Sequence, residues 1–356
     1  TATAAGGTAT DPAGSAPGSD DEAWPIPEWS TTDAAEAGLD QATLDALATE
    51  AEAAESSCLV VTRDGRLVDE WYWGGADEDY EQEVFSASKS VSATLVGLAV
   101  DRGDLALDDP ASDYIAEWRG TPSEAVTVRN LVSNDSGRYQ DAVSDYVTMA
   151  VQEPDKTQYS IDLDQQHEPG TQWVYNNAAI QTLDRVLEEA TGTDTAEFAR
   201  TELFEPLGMD SEVATDEAGN ALMFMGTQAS CRDLARFGLL HLRQGRWGDE
   251  QLLSSAWVEE ATSPSQDLNT SYGFLWWLNG GGTVTDPDGS GVREGGIAPD
   301  APDDMYAALG LGNQIVAVFP SSGVVAVRLG GVNRSPDAPT FTVADLGAGI
   351  TAALDG

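Results

Sequence analysis

Lysine is almost missing from this chain: of 356 residues only Lys89 and Lys156 carry it, and the other cations are arginines. Set against 61 acidic residues, 17 basic ones leave a formal net charge of -44. Such a surface repels nucleic acid and anionic lipid and offers no basic groove to overcome the repulsion, so nucleic-acid binding is not expected. No apolar run reaches the 18 or so residues needed to cross a bilayer, so no membrane span is expected. Two histidines, His167 and His241, and two distant cysteines show none of the close spacing of zinc sites, so neither a metal nor a cofactor is expected. Cys58 lies in an apolar, strand-like run and Cys231 at a helix start; the two either pair or sit as small buried hydrophobes.

What is present suffices for a core. Acidity alone would suggest disorder, but 41% hydrophobic residues and ten tryptophans, with periodic apolar segments, argue for a folded chain. Disorder is confined to the start: residues 1–25, rich in Ala, Gly, Thr, Ser, Pro and Asp, read as a flexible acidic tail. The chain begins at Thr1 without Met, and a processed, exported protein is expected, with the cytoplasm of a halophile as the alternative. The arginine-for-lysine bias resembles proteins of salt-loving microbes, in which molar salt screens self-repulsion to about 3 Å.

Helical spacing of Leu39, Leu44 and Leu47 predicts a helix over 39–55, and CLVVTRDGRLVDEWYW predicts a hairpin turning at Asp64-Gly65. A second helix is predicted from about Ser86 to Asp101 and ends before Gly103. Residues 108–214 read as helices and loops, among them Asn177–Ala190. Strand signals return in SYGFLWWL, MYAALG, NQIVAVF and VVAVRLG, before a C-terminal helix in TVADLGAGITAAL. The predicted fold is α/β (α+β): an antiparallel sheet domain built from 26–107 and 215–356, flanked by helices, with an inserted helical subdomain over 108–214.

The chemistry centres on Ser86-Ala87-Ser88-Lys89. Three residues are about one helical turn, so the lysine amine stands over the serine oxygen, and the helix start adds free N–H groups and a positive dipole end. A serine hydroxyl needs a base, and a lysine can serve only if burial or nearby cations lower its pKa, so Lys89 must be shielded from the acidic surface. Chance places a serine three residues before one of two lysines in roughly one chain in seven. What favours function is that one of two surviving lysines sits in FSASKSVSATLVGLAV, a small and apolar helix start. Tyr175-Asn176-Asn177, just before a helix, supplies a phenol able to relay a proton, although alone it reads better as an aromatic plug with an asparagine cap and gains weight only jointly with Ser86. Trp276 and Trp277 alternate across a strand, so only one faces a pocket, and Trp276 is the choice. The histidines read as surface (His167) and helix (His241) residues, for no Gly-x-Ser-x-Gly nucleophile motif accompanies them.

FSASKS, LALDDPASDYI, WVYNNAAI, CRDLARFGLL, YGFLWWL and ALGLGNQIVAVFP together resemble the serine β-lactamase and penicillin-binding superfamily, whose Ser-x-x-Lys signature Ser86 and Lys89 match. The likeness runs from about residue 35 to the end, and is greatest to the class C, esterase and 6-aminohexanoate-oligomer hydrolase branch. It implies Ser86 as nucleophile, Lys89 as its activating partner, Tyr175 as general base and acid, and Asn177 as an amide contact to substrate or Lys89. It further implies an oxyanion hole from the N–H groups of Ser86 and Leu311, and Tyr139 as a second active-site tyrosine. The chain departs from the pattern at Ala308-Leu309-Gly310, where relatives carry Lys-Thr-Gly. The cation that binds a β-lactam or peptide carboxylate is missing there, which turns the expectation toward a small-molecule ester or amide substrate hydrolysed through an acyl-enzyme. Two alternatives remain: a β-lactamase or D-alanyl-D-alanine carboxypeptidase in which Arg328 or another arginine replaces the lost cation, and a non-catalytic binding protein on the same scaffold.

Overall fold

Asp64 and Gly65 both adopt positive φ, 50° and 81°, the signature of a two-residue turn whose twist matches that of the strands it joins. They connect β1 (Ser56–Arg63) to β2 (Arg66–Tyr72), as the hairpin pattern predicts. The remaining strands of the same sheet come from the other end of the chain in this computed structural model, which describes residues 22–285, 291–333 and 335–356. They are β3 (Trp277–Leu278), β4 (Tyr306–Gly310), β5 (Gln314–Phe319) and β6 (Val324–Gly330). The antiparallel order is β2-β1-β6-β5-β4-β3, so the early hairpin is joined to the late meander by Val60 opposite Val327. Of the acidic tail expected over 1–25, residues 1–21 lie outside the described residues.

β5 and β6 are buried along their whole length, because helices cover both faces of the sheet. Val325 meets the helix Cys231–Leu242, which approaches so closely that a Cβ on Gly238 would lie 2.5 Å from the valine. Arg328, three residues on and therefore on the opposite face, turns toward Ala54 at the end of the helix Gln41–Ala53. That helix packs against the C-terminal one, Val343–Asp355. A disulfide joins Cys58 of β1 to Cys231, the first residue of the covering helix, which resolves the alternative left open by the sequence.

The helix Ser88–Arg102 is buried at every position from Ser88 to Ala99 and stops at Gly103, which takes φ 76°. A helix enclosed on all sides must satisfy its hydroxyls internally. Accordingly Ser90 donates to the Leu275 carbonyl and Ser92 to that of Met223. Between residues 108 and 211 the backbone forms helices and turns with only isolated bridges; the helix predicted over 177–190 is present but interrupted at Thr182, whose hydroxyl donates to Ala179. SYGFLWWL is not the continuous strand its composition suggests. Leu275 takes φ 58° and the Gly273 N–H bonds to the Trp276 carbonyl, so the chain turns there and only Trp277 and Leu278 join the sheet. Among the described residues no helix is long and apolar enough to cross a membrane.

Candidate active site

Ser86 occupies a single 3-10 turn, Phe85–Ala87, that leads into the buried helix. Phe85 holds φ 48°, a left-handed conformation that a bulky residue adopts only when its surroundings impose it. One such constraint is the end of β4: a Cβ on Gly310 would lie 2.2 Å from the Val84 carbonyl oxygen and 3.2 Å from the Ala87 nitrogen. The strand edge is pressed against the turn that carries the serine, and only glycine allows the contact.

One turn further, Lys89 is 1% exposed. Its Nζ donates to Ser86 Oγ at 2.9 Å and to the Phe224 carbonyl at 2.8 Å. Burial lowers its pKa to about 7, against the opposing charge of Asp145, so a large share of the amine is neutral at physiological pH. Tyr175 lies with its ring 4.7 Å from that nitrogen. Its plane is set by Trp277, stacked at 6.0 Å, and by edge contacts with Tyr272. Burial pushes the phenol well above its ordinary value, although a hydrogen bond with Ser86 works the other way. Tyr175 therefore keeps its proton, and of the two groups beside Ser86 the amine is the one able to accept one.

Asn177 opens a short helix capped by Asn176, whose side chain accepts from the Ala179 N–H. Of the two contacts expected of Asn177, to substrate or to Lys89, the one to Lys89 is not made: its Nδ2 donates to Asp145 Oδ2 at 2.7 Å, while Lys89 is engaged by Ser86 and Phe224. Ser86, Tyr175, Asn177, Gly310 and Leu311 line one cleft of about 480 Å³, together with Phe85, Tyr146, Ala150, Val151, Phe224, Met225, Trp277 and Leu309. No charged side chain is among them. Leu311 stands on its rim, 64% exposed.

The β-lactamase family model matches residues 44–349. The chain belongs to the β-lactamase family. It is 26% identical over 312 residues to the 6-aminohexanoate-dimer hydrolase of Paenarthrobacter ureafaciens, covering 80% of this chain and 77% of that protein. To the β-lactamase of Escherichia coli it is 26% identical over 153 residues, 39% of this chain and 38% of that one. Its fold is similar to that of a penicillin-binding protein from Bacillus halodurans, with a TM-score of 0.64 at 18% identity, covering 86% of this chain and 99% of that one. This β-lactamase-family member is a serine hydrolase of the class that opens ester or amide bonds.

Three further expectations from the sequence are corrected by the structure. Trp276 does not reach the cleft; it is fully buried against Phe237, His241 and Tyr306, and Trp277 faces the site instead. Alternation across the strand holds, but the turn at Leu275 decides its phase. Tyr139 is not in the wall of the cleft: its hydroxyl donates to Asp141 at 2.6 Å, and Tyr146, seven residues on, takes a place there. Arg328 does not replace the missing cation, because its guanidinium is fully buried on Ser56 Oγ and the carbonyls of Gly312, Asn313 and Ala54. His167 is exposed. His241 is buried between Thr94 and the Phe237 carbonyl, and burial lowers its pKa to about 4. Among the described residues no group of three His, Cys, Asp or Glu side chains could hold a metal ion.

Sequence reasoning missed Asp145, Tyr146, Phe224 and Trp277. The i, i+4 spacing of Tyr146 and Ala150 is a signal for one shared face, but nothing local says which face meets the cleft. The contact at Gly310 carries a prediction. Gly310→Ala forces the turn away from the strand edge and is expected to lower kcat on a p-nitrophenyl ester by about 10²-fold, the scale of losing one oxyanion donor. Steady-state kinetics beside a thermal melt check it; an unchanged kcat would mean that the turn and the strand edge are not coupled.

Proposed function

We propose that this enzyme hydrolyses uncharged esters or amides with an apolar acyl group, through an acyl-enzyme on Ser86. The observation that carries the reading is the cleft itself, lined by aliphatic and aromatic side chains with no cation to meet a substrate carboxylate. The charge of -44 would also slow the approach of an anionic substrate at low salt.

Neutral Lys89 takes the proton of Ser86, and Oγ attacks the substrate carbonyl. The N–H groups of Ser86 and Leu311 hold the oxyanion. As the tetrahedral intermediate collapses, Tyr175 gives its proton to the leaving oxygen or nitrogen and is reprotonated from the Lys89 ammonium. Deacylation runs the same path backward: water passes a proton through Tyr175 to Lys89 and attacks the acyl carbon, and Ser86 Oγ departs with the proton from Lys89.

The test is intact mass and turnover with a p-nitrophenyl ester and, in parallel, with a penicillin, in molar salt. Turnover or an adduct on Ser86 from the ester, with none from the penicillin, is the expected result. Faster acylation by the penicillin would make the enzyme a β-lactamase or D-alanyl-D-alanine carboxypeptidase, and silence with both would leave a binding protein. The Cys58–Cys231 bond supports export to an oxidising compartment, and the acid-rich surface supports a saline one.

A further inference from the structure

The segment Ser144–Gln152, wound as a π-helix, sends one carboxylate inward. Asp145 is 1% exposed. Its Oδ1 accepts the Ala178 N–H at 2.8 Å, and its Oδ2 accepts both the backbone N–H of Asn177 at 3.3 Å and Asn177 Nδ2 at 2.7 Å. These are amide groups at the start of a helix, where N–H groups lack intrahelical partners. The cation whose field acts on Asp145 is Lys89, and Asp145 is the charge that acts on Lys89.

Asn177 is held by Asp145 on one side only. With its Nδ2 held by Asp145, the amide is oriented, and its Oδ1 is left buried and without a partner. Lys89 spends two donors on Ser86 and Phe224, whereas an ammonium carries three. The third proton appears only when Lys89 takes one from the serine, and Asn177 Oδ1 is an open acceptor beside the same cleft.

We propose that Asp145 is a positioning residue for acylation, which orients Asn177 and, through that amide and its own charge, governs how tightly Lys89 holds its proton. Burial weakens the hold of Lys89 on its proton, and the charge of Asp145 strengthens it again. Among the described residues the groups that act on Lys89 are Ser86 from its own helix entry, the Tyr175 ring, the Phe224 carbonyl and ring, and Asp145 from the π-helix. Tyr175 is kept neutral by burial, which leaves Asp145 as the charge that opposes the desolvation of Lys89; burial also raises the pKa of Asp145 itself, against the N–H groups of Ala178 and Asn177 and the charge of Lys89.

The proposal rests on Lys89 as the base, but its test reads the proton on Lys89 directly. With two lysines in the whole chain, protein labelled with [ε-13C]lysine gives two resonances, and Lys89→Met identifies which is which. The expected result is that Lys89 titrates lower in Asp145→Asn by about one pH unit, and that the acid limb of the kcat/KM profile moves with it. In the exchange variant Asp145→Asn/Asn177→Asp a carboxylate is restored beside the cleft, and Lys89 titrates at or above its wild-type value. An unmoved Lys89 in Asp145→Asn overturns the proposal. Should that variant fail to fold, a Lys89 titration below wild type in the exchange variant overturns it equally. A resonance that moves without the rate profile supports the coupling and sinks the reading of Lys89 as base.

Discussion

Ser86→Ala is expected to abolish the acyl adduct and to lower kcat on a p-nitrophenyl ester by about 10⁴-fold or more, the scale on which an acyl-transfer enzyme fails without its nucleophile. The substitution removes one oxygen from a side chain at the floor of the cleft. The turn keeps its shape, because Phe85 and Gly310, not Ser86, hold it against Val84 and the strand edge. A thermal melt close to wild type, with the adduct lost in intact-mass spectra, is the expected pair of results. An adduct that survives the substitution would place the nucleophile elsewhere.

Lys89→Met is expected to lower kcat by about 10³-fold or more, since a positioned general base commonly contributes 10²–10⁴. The rate of the unaltered enzyme follows the neutral amine and rises with pH through about 7. Stability moves in a related way. The folded pKa lies near 7 and the ordinary lysine value is 10.5, so between these limits the unfolded chain holds a proton that the folded chain has released. Stability therefore rises with pH across that window; the cost of the buried ammonium is complete below about 7 and gone above about 10.5. Methionine carries no proton at any pH. Relative to wild type the variant is most favoured at acid pH, and that advantage shrinks from about pH 7 to about pH 10.5. Calorimetric Tm values across this range check it; a difference independent of pH would mean that Lys89 is not a desolvated amine.

The nucleophile was legible because its partners are local. Ser86 and Lys89 lie one helical turn apart, and helix geometry alone brings their side chains together. The hairpin at Asp64-Gly65, the late apolar strands and the terminal helices follow from turn chemistry and from periods of two and 3.6 residues. Tyr175 stands on a weaker footing, since its motif alone reads better as an aromatic plug until the fold stacks it on Trp277 and sets it beside Lys89.

The rest depended on which distant segments meet. A one-residue change of phase exchanges the two faces of a strand, and the phase at Trp276 and Trp277 is set by a left-handed residue, Leu275, that composition does not announce. Arg328 has the charge a carboxylate pocket would need, yet it turns to the covered face of the sheet to satisfy three backbone carbonyls and a serine.

By itself the sequence determined that the chain folds around an antiparallel sheet with helices, that Ser86 and Lys89 face each other, and that a carboxylate-binding cation is missing at 308–310. The first two are matters of periodicity and spacing, and the third is what the resemblance to relatives with Lys-Thr-Gly implies. Only the tertiary structure decided that Lys89 is desolvated, that Asp145 stands against it from a segment 56 residues away, that Trp277 walls the cleft and that Cys58 meets Cys231. Desolvation, long-range charge and strand phase are properties of what packs around a residue, and a residue's sequence neighbours do not specify them.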